Sequence, residues 1–489
     1  MINRENPRQL EIEEFKLPFA GELNKKNRWV KLAEELPWEV LMQVYHQALS
    51  ADAGRPALRA RLVIGALIIK HMLKLSDEET IEQIRENPYL QYFAGYSCYR
   101  YDHGFASSLF VEIRKRLGKE KLGMMNEMFT DHTKRVEEKK PSGRKKTEEE
   151  GDTPDGGNKT HHGKLLIDAT VAPSDIKYPT DLELLNQARE ESEHLIDKLY
   201  EPSAGKVKPR TYRQKARKAY LALAKQRNKS GKKVRRGIKQ QLGYVARNIR
   251  TIDSLLDEKN QETFPLSYKD QRRLWIIREV YRQQHEMYRT KTHRIDGRIV
   301  SMSQPHIRPI VRGKSGAKVE FGPKISASVV DGNVFLDRIG WEAYNEGLDL
   351  PMQVMNYYER FGYYPEVVIS DTIYAHRENR RYLKNLGIRY SGKPLGRPPK
   401  KATPNIMKKQ QQKEARIRNE IEGVFGVGKR RFGLGLVMAK LKETSESWIA
   451  MVIFVMNISH WLRNIFVSLA NSFINAFFFL LDDRFGAPT

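Results

Sequence analysis

Apolar and polar positions alternate along this chain with periods that change by region. Two short apolar runs, Leu165–Ile167 and Val367–Ile369, are each followed by an aspartate, Asp168 and Asp371. Runs this short, bounded by Gly or Pro, predict buried strands, at Lys164–Val171 and Glu366–Ser370. Further strand signals lie at Ala317–Phe321, Lys324–Val330 and Val334–Asp337. Gly332-Asn333, after Asp331, reads as a tight hairpin turn between the last two. Helices are expected near Met352–Phe361 and Arg377–Leu386, and a final strand at Ile388–Ser391.

The flanking stretches read as helical. In residues 1–130, Ser76 and Glu79 form a capping box and Pro88 falls near the end of the run it opens. Phe105–Leu117 has helical spacing, with Arg114, Lys115 and Arg116 expected to be exposed. Such a leader suits either DNA-end binding or dimerisation. Residues 131–163 are a polar linker by composition. His161 and His162 lie there; neighbours on an extended chain point apart, so a solvated pair is expected rather than a metal site. Residues 181–290 predict helices inserted after the first strand. Residues 393–418 are Lys-, Arg- and Pro-rich, a poor helix until about Gln410. Trp448–Ile458 reads as a core helix. Ile465–Leu481 is 17 residues without charge, near the length of a short membrane span. Its Ser468, Asn471, Ser472 and Asn475, and the Asp482-Asp483 pair beyond, favour a helix buried in protein or against another subunit.

Charge narrows the partners. Lys+Arg number 86 against 60 Asp+Glu, a net +26. Residues 201–250 hold 17 Lys+Arg and a single acid, Glu201, so 17 − 1 = +16 of that total sits in one window. A polyanion is the expected partner, nucleic acid first and an anionic membrane second. The plainer alternative is a basic, merely adhesive protein. Lys232, Lys233, Arg235 and Arg236 are the expected phosphate contacts, without base readout. One cysteine, Cys98, excludes an internal disulfide and Cys-based zinc sites and fits a reducing cytoplasm. MINRENPRQLEIEEF has no apolar core and does not read as a secretory leader. GVFGVG lacks both a preceding strand and a following G-K-[ST], so no nucleotide loop is expected there.

The acids supply candidate chemistry. Asp168, Asp371 and Glu422, the last in RNEIEGVFGVGK, place two strand-borne carboxylates and one helix-borne carboxylate where they can converge. Carboxylate oxygens suit Mg2+ or Mn2+. Two such ions per active site would activate a hydroxyl and stabilise the leaving oxygen at phosphorus. Glu420 competes with Glu422 but points elsewhere on a helix. Asp175 and Asp181 are alternatives to Asp168 without its strand setting.

Arg418 lies four residues before Glu422 and Lys429 seven after. This R-x3-E-x6-K pattern resembles the signature of insertion-sequence transposases of the IS-four and IS-five type. The usual Tyr three residues before the Arg is Ala415 here. YPTDLELL and LRARLVIGALIIKHMLKLSDEETIEQIRENPYLQYFAG are similar to that family too. The resemblance implies an α/β fold: an RNase H-like mixed sheet flanked by helices, with an all-α N-terminal domain and a large basic helical insertion after the first strand. It implies domains at 1–130, 131–163 (linker), 164–180 with 291–464 (catalytic), 181–290 (insertion) and 465–489 (tail). It implies a bacterial, cytoplasmic, nucleoid-associated enzyme that acts as a dimer or larger assembly on transposon ends and target double-stranded DNA, with no membrane partner. Asp168, Asp371 and Glu422 would hold the metals, Lys429 would join them in catalysis, and Arg418 and Lys429 would meet terminal phosphates. A metal-dependent nuclease without strand transfer, or a non-catalytic DNA-binding relative, are the alternatives.

Overall fold

The computed structural model describes residues 11, 14–17, 21–49, 57–101, 105–139, 161–201, 207–259, 264–311, 319–391 and 405–485. The chain divides into two compact units. One comprises 1–173, 324–340 and 344–489, the other 174–323 with 341–343.

The first unit opens with α1 (Arg28–Glu35), α2 (Trp38–His46), α3 (Ala60–Leu73), α4 (Asp77–Glu86), α5 (Pro88–Phe93) and α6 (Leu109–Lys139). Helix α3 is apolar almost all round, and every residue from Ala60 to His71 is buried, as a central core helix must be. Ser76 and Glu79 cap α4 reciprocally. Pro88 starts α5 at its first turn, with Asn87 as cap, because proline lacks only an N–H that no helix needs there. Helix α6 breaks at Gly118, whose φ is 62°. Arg114, expected outside, is buried: Asp77 accepts both of its terminal N–H groups, at 2.9 and 2.7 Å. Lys115 and Arg116 are exposed.

The sheet of this unit has five strands: β1 (Lys164–Val171), β4 (Lys324–Val330), β5 (Asn333–Gly340), β6 (Val367–Ile369) and β7 (Arg389–Tyr390). Their order is β5-β4-β1-β6-β7. The β5-β4-β1 pairs are antiparallel and the β1-β6-β7 pairs parallel. The β4–β5 turn is centred on Asp331-Gly332, one residue earlier than the pattern suggested. Both have positive φ, 50° and 80°, which a two-residue hairpin of this hand requires. Helices α11 (Leu350–Phe361), α12 (Arg377–Asn385), α13 (Asn405–Arg431) and α14 (Lys442–Phe485) complete it.

Helix α14 is continuous where two helices were expected. Its Trp448–Ile458 stretch is buried, while Phe466 and Val467 are 39% and 53% exposed. Side chains beyond Val467, where most of the Ile465–Leu481 expectation falls, lie outside the described residues. Lys442–Val467 is long and apolar enough to cross a membrane by length and composition, yet two thirds of its most apolar stretch is buried in protein. Residues 131–139, expected as linker, are the last turns of α6, and 140–160 lie outside the described residues. His161 is half-buried and contacts the Leu386 carbonyl at 2.7 Å, not solvated as expected.

The second unit holds α7 (Asp181–Leu199), α8 (Arg213–Ala224), α9 (Gly231–Lys259) and α10 (Tyr268–Thr290) around Leu185, Ile196, Val245, Ile252 and Ile277. A hairpin of β2 (Pro309–Val311) and β3 (Val319–Phe321) belongs to it. The strand expected at Ala317–Phe321 therefore does not extend the main sheet. This unit is wider than the helical pattern of 181–290, because Val300, Ile307, Phe321 and Trp341 form a small core of their own.

Candidate active site

Register alone brings two of the acids together. Leu166 of β1 lies beside Ile369 of its parallel neighbour β6. Two residues further along each chain stand Asp168 and Asp371, and adjacent strands run about 4.8 Å apart. Asp168 remains in the strand, opposite Ala327 of β4. Asp371 has left it: its side chain caps the short 3-10 turn Thr372–Tyr374, accepting from the Thr372 N–H at 2.6 Å.

Helix α13 delivers the third acid. Ile421 and Phe425 are 1% and 5% exposed and seat the helix in the core. Arg418 and Glu422, one turn apart, share a different face. The Arg418 guanidinium lies between two acids, 3.4 Å from Asp371 Oδ1 and 3.7 Å from Glu422 Oε1. Glu420 instead lines a groove with Val424, Val427 and Arg463. Lys429 falls on nearly the same face as Arg418 and Glu422, about 10 Å beyond the latter along the axis. Gly423, Gly426 and Gly428 are all helical. Gly428 is needed for packing, since a Cβ there would meet Met456 Sδ at 2.9 Å. Asp181 is committed to structure, accepting from Arg298 at 2.7 Å and Gln284 at 2.9 Å.

The electrostatics agree with an acidic cluster. Burial pushes the Asp168 carboxyl up to about 6; the Ala169 N–H opposes this, and the charges of Glu346, Asp371 and Glu422 reinforce it. Glu346 was not singled out in the sequence. It sits in the 3-10 turn Glu346–Asp349 and pairs with Lys324 of β4. Next to it Asp349 is 2% exposed, accepting from Ser326 and from Arg338 at 2.6 Å. Tyr374 is fully buried, and its hydroxyl has no hydrogen-bond partner among the described residues. Burial raises that phenol far above its usual range, and the charges of Glu346, Asp168 and Asp349 add to the effect. No spacing pattern marks Glu346 or Tyr374, which reach the site through the fold.

Metal ligation has a definite geometric condition. Among the described residues no three His, Cys, Asp or Glu side chains stand close enough to hold one ion as they are placed. The donor chemistry fits a hard divalent cation, since every candidate ligand is a carboxylate. Asp371 and Glu422 are turned toward Arg418, and their side chains are 54% and 61% exposed. Holding an ion would require these two to turn away from the guanidinium.

In the second unit, Lys232, Lys233 and Arg236 are exposed on α9, and Lys215, Arg217 and Lys218 on α8. Arg235 is turned inward: it donates to the Tyr288 carbonyl at 3.0 Å and lies 4.1 Å from that ring's centroid. Tyr212 is flanked by Arg210 and Arg247, at 5.0 and 4.7 Å.

Two family models match parts of the chain. Residues 368–459 match the transposase DDE domain, a span holding Asp371, Arg418, Glu422 and Lys429 but not Asp168. Residues 18–116 match a second model, the transposase domain DUF772. These two matches support an insertion-sequence transposase, a DNA-cleaving and DNA-joining class of enzyme. The chain is also 27% identical over 166 residues to the uncharacterized protein ORF8 in the nfe locus of Rhizobium meliloti, covering 34% of this chain and 71% of that one. No solved structure matches.

Proposed function

We propose that this chain is a transposase of the IS-four/IS-five type that cleaves at the ends of its own insertion sequence and joins the 3′ hydroxyl ends to target DNA. The observation that carries the reading is the register that sets Asp168 beside Asp371, with Arg418 linking Asp371 to Glu422. The sheet order, two antiparallel and two parallel pairings about β1, supports an RNase H-like core. Asp168, Asp371 and Glu422 would hold two Mg2+ or Mn2+ ions. When bound, such ions supply an activated hydroxyl and charge stabilisation at phosphorus.

The chain's own residues do the positioning. The paired strands set the backbones of Asp168 and Asp371 at neighbouring positions, so that turning side chains, not moving strands, would bring their carboxylates together. Arg418 and Lys429 offer cations to terminal phosphates; the planar guanidinium suits bidentate phosphate contact. Lys232, Lys233 and Arg236 hold backbone phosphate without reading bases. Two ends require two sites, so a dimer or larger assembly on DNA is part of the proposal.

The test is neutralisation at constant shape. Asp168→Asn is expected to abolish cutting of end DNA while leaving binding nearly intact. Loss of binding as large as the loss of cutting would make Asp168 structural and overturn the assignment.

A further inference from the structure

Arg418 has two sets of partners that compete for it. Its guanidinium sits between Asp371 Oδ1 and Glu422 Oε1, at 3.4 and 3.7 Å. Its Nε is buried and has no hydrogen-bond partner among the described residues, so the contacts that hold the group run through its terminal nitrogens. Asp371 Oδ1 also accepts from the Thr372 N–H at 2.6 Å and the Thr372 hydroxyl at 3.2 Å. One lobe of that carboxylate is therefore fully engaged. As placed, no three acids among the described residues can share one ion. A guanidinium and a divalent cation compete for the same lone pairs and repel each other. Guanidinium is also well matched to phosphate, its natural alternative anion.

We infer that Arg418 is a positioning residue that exchanges partners. It holds Asp371 and Glu422 in the DNA-free chain and leaves them for a DNA phosphate, which frees both acids to close on a divalent cation. Metal loading is thereby coupled to DNA binding, and the chain by itself is a poor metal binder. This rests on the reading of Asp168, Asp371 and Glu422 as the metal-holding acids. The exchange explains why the acids converge without forming a ready ion site. It gives Arg418 a role at the carboxylates in addition to one on DNA.

The test measures metal binding, not cutting. The full chain would be titrated with Mn2+, and free Mn2+ followed by its electron paramagnetic resonance signal. Arg418→Gln is expected to tighten Mn2+ binding about tenfold or more without DNA, the effect of removing one charge within ~4–6 Å of the site. Adding a short duplex is expected to tighten binding to the unmodified chain and to give little further gain in Arg418→Gln. Arg418→Lys, which keeps the charge and perturbs packing least, should stay close to the unmodified chain. Asp168→Asn is the control for the underlying reading. If Asp168→Asn weakens Mn2+ binding but Arg418→Gln binds no tighter than the unmodified chain, the exchange is wrong and the metal site stands. If Asp168→Asn leaves Mn2+ binding unchanged in both backgrounds, the metal-site reading itself fails.

Discussion

At the scale of single residues, Asp168 shows what the proposed site costs in stability. An unfolded aspartate titrates near 3.9, whereas here burial and three neighbouring carboxylates push it up to about 6. Between those values the folded chain binds more protons than the unfolded one, so its stability falls as pH rises across the window. Asp168→Asn removes the titration. It is therefore expected to raise the melting temperature at pH 8, where the native acid is ionised, and to leave it nearly unchanged below pH 4, where it is protonated. A gain of equal size at both pH values would assign the effect to packing instead of charge. Asp168 and Asp371 were legible in the sequence because each ends an apolar run that only a buried strand explains. Glu346 was not legible, because its neighbours in NEGLDL carry no periodicity and Lys324 joins it only across the fold. The exposed reading of Arg114 failed for a related reason: its partner Asp77 is 37 residues away in the chain.

At the scale of elements, the β4–β5 turn and the basic helices make separable claims. Gly332 has a φ of 80°, and a Cβ there would meet the His460 ring at 2.5 Å. Gly332→Ala should destabilise by at least the ~1–2 kcal/mol that positive φ costs a residue with a Cβ, read as a lower urea midpoint at unchanged slope. An unchanged midpoint would mean the turn can relax at no cost. The hairpin itself was visible in the sequence, but its centre was displaced by one residue, because Asp331 accepts positive φ as readily as Asn333 would. Helix α9 divides its charges. Replacing Lys232, Lys233 and Arg236 with Ala should reduce the slope of log affinity against log salt by about 0.9 for each DNA phosphate no longer neutralised. Arg235→Ala should instead lower thermal stability, because it removes the hydrogen bond and ring stacking with Tyr288, with little change in slope. If Arg235 dominates the salt slope, the inward orientation is wrong. The sequence marked all four as one patch because charge alone does not reveal which side of a helix faces protein.

At the scale of the whole molecule, the N-terminal helices and the sheet fall in one compact unit. The sequence read them as separate, because a polar stretch divides them and long-range packing leaves no local signature. Buried amides join them. Asn457 of α14 accepts from the Val334 N–H at 2.8 Å, and donates to the Val334 carbonyl and to Asn126 Oδ1 of α6, each at 2.8 Å. Asn457→Ala strands the Val334 N–H and Asn126 Oδ1 in the core, while the Val334 carbonyl keeps Asn126 Nδ2 at 3.0 Å; it is expected to cost about 2–6 kcal/mol, at ~1–3 kcal/mol for each buried group left unpaired. The loss should be read in one cooperative unfolding transition. Two transitions, with only one shifted, would show that the helices and the sheet unfold independently.

The central claim is that these acids serve cutting and joining of DNA. It is tested most directly by incubating the full chain with labelled DNA carrying the inverted-repeat ends of its own element, supercoiled target plasmid and Mg2+. The account expects labelled ends covalently joined to plasmid through their 3′ hydroxyls. Asp168→Asn, Asp371→Asn and Glu422→Gln should each abolish this product while still retaining the DNA in a gel shift. Joined product that persists in any one of these variants, or its absence from the unmodified chain under conditions where the ends are bound, would contradict the account.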